Sequence, residues 1–126
     1  MSVTSQTRRI YRIERTWVYE EWPMRKLRRL AKKIWEGEGV KWKMPRIVAG
    51  RGMRYNGRCT SYCQERDLIV IARHHRDPKV LIHEIAHAIV GVWHNHDAVF
   101  EKKMVELLTK YRIKIHIKPR FWKVYR

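Results

Sequence analysis

Cysteine is scarce in this chain: Cys59 and Cys63 are the only two among 126 residues. That number excludes a disulfide framework and fits a reducing compartment. Their C-x-x-x-C spacing has no second pair to complete a tetrahedral metal site. On one strand the two would share a face, and packing in the core is their expected role. Long apolar runs are missing as well. Nothing approaches the ~20 apolar residues that a bilayer-crossing helix needs. The opening MSVTSQTRRIYR lacks the apolar centre of a secretion signal. A soluble chain that is not exported by the usual route is the expectation. No low-complexity segment and no internal repeat occurs. Acidic residues are few, 12 against 29 Lys+Arg, which leaves a formal net charge of +17. Positive residues run from Arg8 to Arg126 and are not gathered in one tail. Such a balance calls for an acidic partner, nucleic acid first and an anionic membrane surface or acidic protein second. A basic face that is merely solvated is the alternative.

The length suits one domain with one core. Within it, residues 1–22 read as an N-terminal extension, 23–112 as the folded unit and 113–126 as a basic aromatic tail. Residues 1–7 look frayed, and 8–22 fit neither helical nor strand periodicity. From Pro23 onward Met24, Leu27, Leu30, Ala31, Ile34 and Trp35 follow the 3/4 spacing of an amphipathic helix that Gly37 and Gly39 stop. Its other face carries Arg25, Lys26, Arg28, Arg29, Lys32 and Lys33, a ridge suited to phosphates. Short extended segments follow: Val40 to Val48, an edge strand interrupted by Pro45, then Arg58 to Gln64 and Leu68 to Ala72. Glu65, Arg66 and Asp67 form the connection between the last two. Between the first and second, Gly50, Gly52 and Gly57 with Arg51, Arg54 and Arg58 read as a mobile basic loop.

Asp77-Pro78 is a strong helix start, because the Asp oxygen can cap free N–H groups while proline takes the first turn. That helix is predicted to reach Val90 or Trp93. A second begins near Asp97, with Phe100, Met104, Leu107, Leu108 and Tyr111 as its apolar stripe. RIKIHIK then alternates as a half-buried strand, and PRFWKVYR closes the chain. The fold class is α+β.

Residues 83–96, HEIAHAIVGVWHNH, hold four of the seven histidines. In a helix His83 and His87 lie on one face, about one turn or ~6 Å apart, and can converge on one ion. His-Glu-x-x-His on a helix is the arrangement in which two imidazoles bind zinc while the adjacent glutamate, here Glu84, works as general base. Zinc lowers the pKa of its water to roughly 7 and polarises a peptide carbonyl. Glu84 then has only to collect the water's proton and deliver it to the leaving amine. The alternative, histidines satisfied by backbone carbonyls, leaves three ionisable groups amid Val80, Leu81, Ile82, Ile85, Ala86 and Ile89, at a cost of several kcal/mol where unsatisfied.

A third ligand is needed. On a straight helix His94 would sit ~10 Å beyond His87, so the chain must bend at Gly91 or over 93–95 before His94 or His96 can return. His96, directly before the next helix, is favoured, with His94 as the alternative. The literal letters HNH at 94–96 do not indicate the nuclease of that name, whose three residues are widely separated. The pair His74-His75 reads as a loop position near the site entrance or near phosphate, and Tyr111, His74 and nearby arginines are open as groups at the oxyanion.

Residues 24–108 resemble a SprT-like (Spartan-type) zinc metallopeptidase domain. The resemblance rests on the helix ending LRRLAKKIWEG, the GRC strand at 57–59, the LIVIA strand, LIHEIAHAIVGVW and NHDAVFEKKM. It implies a minimal zincin-like fold, a small mixed sheet packed with an N-terminal helix, the metal helix and a following helix. It also implies His83, His87 and His96 as Zn²⁺ ligands, Glu84 as general base and Phe100 as a core support. In the Spartan branch it implies cleavage of proteins attached to DNA. The chain departs from the family in two respects: the interval between His87 and His96 is shorter than in many relatives, and no cysteine-rich zinc ribbon follows. Compact domains of this kind occur in bacteriophage genomes, so the location implied is the cytoplasm or a virion. The expected function is a zinc endopeptidase acting on a protein substrate on or near nucleic acid. Arg25, Arg28, Arg29, Lys32, Lys33, Arg51 and Arg54 are the candidate phosphate contacts. The alternative is a nucleic-acid-associated structural or binding protein with a structural or relic zinc site. The sequence does not speak to oligomeric state.

Overall fold

Among residues 5–14, 19–50, 54–55, 58–59, 62–64, 67–73, 75–91, 94 and 96–113, which the computed structural model describes, the chain forms four helices and five short strands. In chain order these are α1 (Ser5–Glu14), α2 (Met24–Gly37), β1 (Arg46–Ala49), β2 (Arg54–Tyr55), β3 (Arg58–Cys59), β4 (Tyr62–Gln64), β5 (Leu68–Ile71), α3 (Pro78–Val90) and α4 (Ala98–Lys110). One sheet has the order β1-β5-β4, with β1 parallel and β4 antiparallel to β5. β2 and β3 make a separate antiparallel pair. The class is therefore α+β with a small mixed sheet.

β1 starts immediately after Pro45 and lies on the sheet's edge, where a residue without an N–H costs no ladder bond. Gln64 pairs with Leu68, as a tight connection over 65–67 requires. The single strand predicted for 58–64 is instead two, and they pair with different partners. Cys59 and Cys63 consequently sit on separate strands, and the shared face expected of them does not arise. The basic loop expected around Gly50 to Gly57 contains the β2–β3 pair; residues 51–53 and 56–57, Arg51 among them, lie outside the described residues. So does the predicted RIKIHIK strand beyond Ile113.

α3 is the centre of the molecule. Pro78, Lys79 and the run 81–88 are all buried, as befits a helix packed against α2, α4, β4 and β5 together. α2 contributes Leu27, Ala31, Ile34 and Trp35 to this core, the sheet contributes Ile47, Ile69 and Ile71, and α4 adds Phe100, Met104, Leu107 and Leu108. Residues 1–22, predicted as an extension, supply α1, and its Ile10 is fully buried in the same core.

Asp77 starts α3 in the way its sequence implies and does more. One oxygen accepts from the Lys79 N–H at 2.7 Å, and the other accepts from the Glu20 N–H at 2.5 Å and pairs with Lys79 Nζ at 3.1 Å. Asp77 and Lys79 are 1% and 3% exposed, so this is a buried ion pair that also fastens the 19–22 segment across the helix start. Trp22 N–H donating to the Arg76 carbonyl at 2.7 Å continues that seam. Asp77→Ala removes the cap and leaves a buried ammonium unpaired. It is expected to cost about 3–5 kcal/mol in a denaturant titration, against ~1 kcal/mol for loss of an ordinary cap.

Candidate metal centre

The bend that the sequence demanded is built from two unusual backbone positions. α3 stops at Gly91, whose φ of 99° and ψ of 140° suit a residue without a side chain. Its N–H donates to the His87 carbonyl at 2.8 Å. Before α4, His96 holds a left-handed φ of 51°. A non-glycine residue there is uncommon and is kept only where its surroundings require it. Asp97 then caps α4 by accepting from the Phe100 N–H at 3.0 Å. Together these turn the His96 side chain back toward α3.

The result is a triad of imidazoles. His96 Nε2 lies 3.0 Å from His83 Nε2 and 3.2 Å from His87 Nε2. The three ligand atoms all fall within 4.8 Å of one another. Ligand nitrogens at 2.0–2.1 Å around a tetrahedral zinc would stand about 3.3 Å apart, so the spacing suits such an ion. An imidazole Nε2 has a single in-plane site, a hydrogen or a lone pair, so one proton on that of His96 would have to be shared between His83 and His87. A cation between the rings satisfies all three lone pairs together.

The surroundings keep the rings in place and favour the neutral form of two of them. Phe100, fully buried, stacks on His87 with centroids 4.1 Å apart and meets His83 edge-on at 4.9 Å. Burial, followed by the neighbouring His83 and His96, holds the His87 imidazole down to about 2. Burial and His83 likewise hold His96 down to about 4. His83 differs. Burial works against its charged form, but a hydrogen bond from its Nδ1–H to Glu14 Oε2, with the charges of Glu14 and Glu84, raises its pKa overall. Glu84, next along the helix, is 6% exposed. Burial pushes its carboxyl up to about 7, with His83 opposing and Glu14 adding to the rise. The half-buried Cys63 thiol is within electrostatic reach of Glu84, and burial with that charge pushes it up to about 12.

A pH dependence follows from these directions. His87 and His96, lowered to about 2 and about 4, are already deprotonated between about pH 5 and 6, whereas His83 is raised and must release a proton when metal binds. In a Glu84→Gln background, which removes the carboxyl's own proton, log zinc affinity should rise with a slope near one per pH unit over that range. Three ordinary imidazoles would give a slope approaching about three. Chelator competition at a series of pH values measures it.

The other predicted residues divide. His94, the alternative third ligand, does not join the triad: its Nδ1 meets Asp97 Oδ2 at 2.8 Å, on the outer side of the α4 start. Tyr111 is placed at the C-terminal end of α2, where its hydroxyl donates to Glu38 Oε2 at 3.2 Å, so it does not supply an oxyanion donor. Its approach requires Gly37, since a Cβ there would come within 2.3 Å of the hydroxyl. Arg25, Arg28, Arg29, Lys32 and Lys33 are all exposed on α2. Arg28 leaves the row, because its Nε donates to the Ile47 carbonyl at 2.9 Å and ties α2 to β1. Among the described residues no carboxylate pairs with Arg25, Arg29, Lys32 or Lys33, whereas Lys103 and Lys110 on α4 are both engaged by Glu38. Of Arg54 only the backbone, in β2, is described, and His74 lies outside the described residues. The residue that sequence reading missed is Glu14, 69 positions before its partner His83.

In comparisons with protein-family models, curated proteins and solved structures, nothing matches the chain. What the fold and the triad define is a small α+β protein with three histidines placed to bind one metal ion.

Proposed function

We propose that this chain is a zinc-dependent endopeptidase of minimal zincin-like design that works on or near nucleic acid. The observation that carries the reading is the convergence of three imidazoles beside a buried glutamate that shares a helix with two of them. His83, His87 and His96 would hold the ion; zinc so bound supplies Lewis acidity and a lowered water pKa. Nitrogen donors and a three-residue protein set both suit zinc in a catalytic role, where a coordination position is kept for water or substrate. Glu84 serves as the base. A carboxyl near 7 takes and returns a proton at neutral pH with little loss in either direction. A purely structural site has no need of such a group, which weighs against the reading of a binding protein with a relic metal.

The resemblance to SprT-like domains agrees with this assignment. The exposed cations Arg25, Arg29, Lys32 and Lys33 occupy ~12 Å of α2, and their lack of carboxylate partners suits phosphate contact. Among the described residues no helix is long and apolar enough to cross a membrane.

The test uses the zinc-loaded chain with a loosely folded DNA-binding protein as substrate, with and without duplex and single-stranded DNA. Cleavage that a chelator stops, and that DNA accelerates at low salt more than at high salt, is the expected result. No cleavage in any condition, with DNA binding intact, would leave the nucleic-acid-binding structural protein as the better account.

A further inference from the structure

We propose that Glu14 is a positioning residue of the metal centre, so that a helix far outside the His-Glu-x-x-His segment sets how tightly the ion is held. The inference rests on the zinc reading above and extends it to a residue that neither the motif nor its spacing includes.

A neutral imidazole carries its hydrogen on one nitrogen and its lone pair on the other. By accepting from Nδ1–H, Glu14 Oε2 selects the tautomer of His83 whose lone pair is on Nε2. That nitrogen is the one 3.0 Å from His96 Nε2, at the triad's centre. A carboxylate behind a ligand histidine also makes the ring a stronger donor and fixes its rotation. His87 is clamped face to face by Phe100, while His83 meets that ring only by an edge.

The placement of Glu14 is built into the fold. α1 is anchored by Ile10, fully buried, and by Arg9 Nε with Glu101 Oε1 at 3.1 Å. Glu101 is in the first turn of α4, next to Phe100 and five residues beyond His96. α1 therefore touches both the helix that carries two ligands and the helix that aims the third. Coupling of this kind is reciprocal: whatever factor the Glu14 contact adds to metal affinity, the metal adds to the docking of α1.

The test compares Glu14→Ala and Glu14→Gln in the full chain. Zinc affinity is read by competition with a chromophoric chelator, the ligand field from the visible spectrum of the cobalt-loaded protein, and the fold from helicity and the metal-free melting temperature. Glu14→Ala is expected to bind zinc about 10- to 100-fold more weakly and to shift the cobalt bands. Glu14→Gln, whose amide oxygen still accepts from Nδ1–H, should recover most of the affinity and the wild-type spectrum. Wild-type affinity in Glu14→Ala would overturn the proposal. So would a Gln variant as weak as Ala while equally well folded, because the hydrogen bond would then not be the cause. Should the wild-type chain itself take up no zinc, the failure belongs to the metal reading and takes this inference with it.

Discussion

Glu84→Gln should keep its zinc and its melting temperature while kcat for peptide hydrolysis drops about 10²- to 10⁴-fold, the contribution of a positioned general base. The substitution preserves shape and removes only the ability to take a proton. Glu84 is nearly fully buried on α3, and burial is what lifts its carboxyl to about 7. The sign of the pH effect follows. The base form grows as pH rises through that value, and the positive charge of a bound ion draws it downward. The acid limb of kcat/KM therefore lies at or below about pH 7, and Glu84→Gln should lose it. A variant that hydrolyses peptide at the wild-type rate would remove the catalytic role from this carboxylate.

His87→Ala should abolish the stabilisation that zinc confers. A ligand that binds only the folded chain, present at 100 times its Kd, adds about 2.7 kcal/mol. For a chain of this size that is roughly 10 °C in melting temperature. Wild type should show the rise and lose it to a chelator, whereas His87→Ala should melt at one temperature with or without zinc. His87 is the cleaner choice because its removal leaves the Glu14 contact to His83 in place. A zinc-dependent rise of equal size in the variant would mean that the ion is held elsewhere.

His83, Glu84 and His87 were legible because helical spacing is a local property, and the Asp77-Pro78 start sets the register. His96 could be favoured over His94 because Asp97 marks the start of α4, and the left-handed φ of His96 is how the chain achieves the return. Glu14 was not legible. α1 places Ile10 between exposed Arg8 and Arg12, and a helix of ten residues with only Ile10, Tyr11 and Ile13 among its cations makes no sustained stripe. Its contact with His83 also spans 69 positions, a distance over which pattern carries no information. The strands show the same limit. Residues 58–64 read as one extended segment, but pairing partners divided it, β3 going to β2 and β4 to β5. Arg28 belonged to a charged ridge by spacing, and only the position of β1 reveals the carbonyl that claims it.

Zinc X-ray absorption on the loaded wild-type chain addresses the central claim most directly. Three imidazole nitrogens at about 2.0–2.1 Å with one non-protein oxygen donor, at one zinc per chain, is the expected first coordination sphere. His83→Ala, His87→Ala and His96→Ala should each fail to give this three-imidazole sphere, and His94→Ala should leave it unchanged. A sphere with sulfur from Cys63, with four protein donors and no open position, or with His94 in place of His96 would contradict the account.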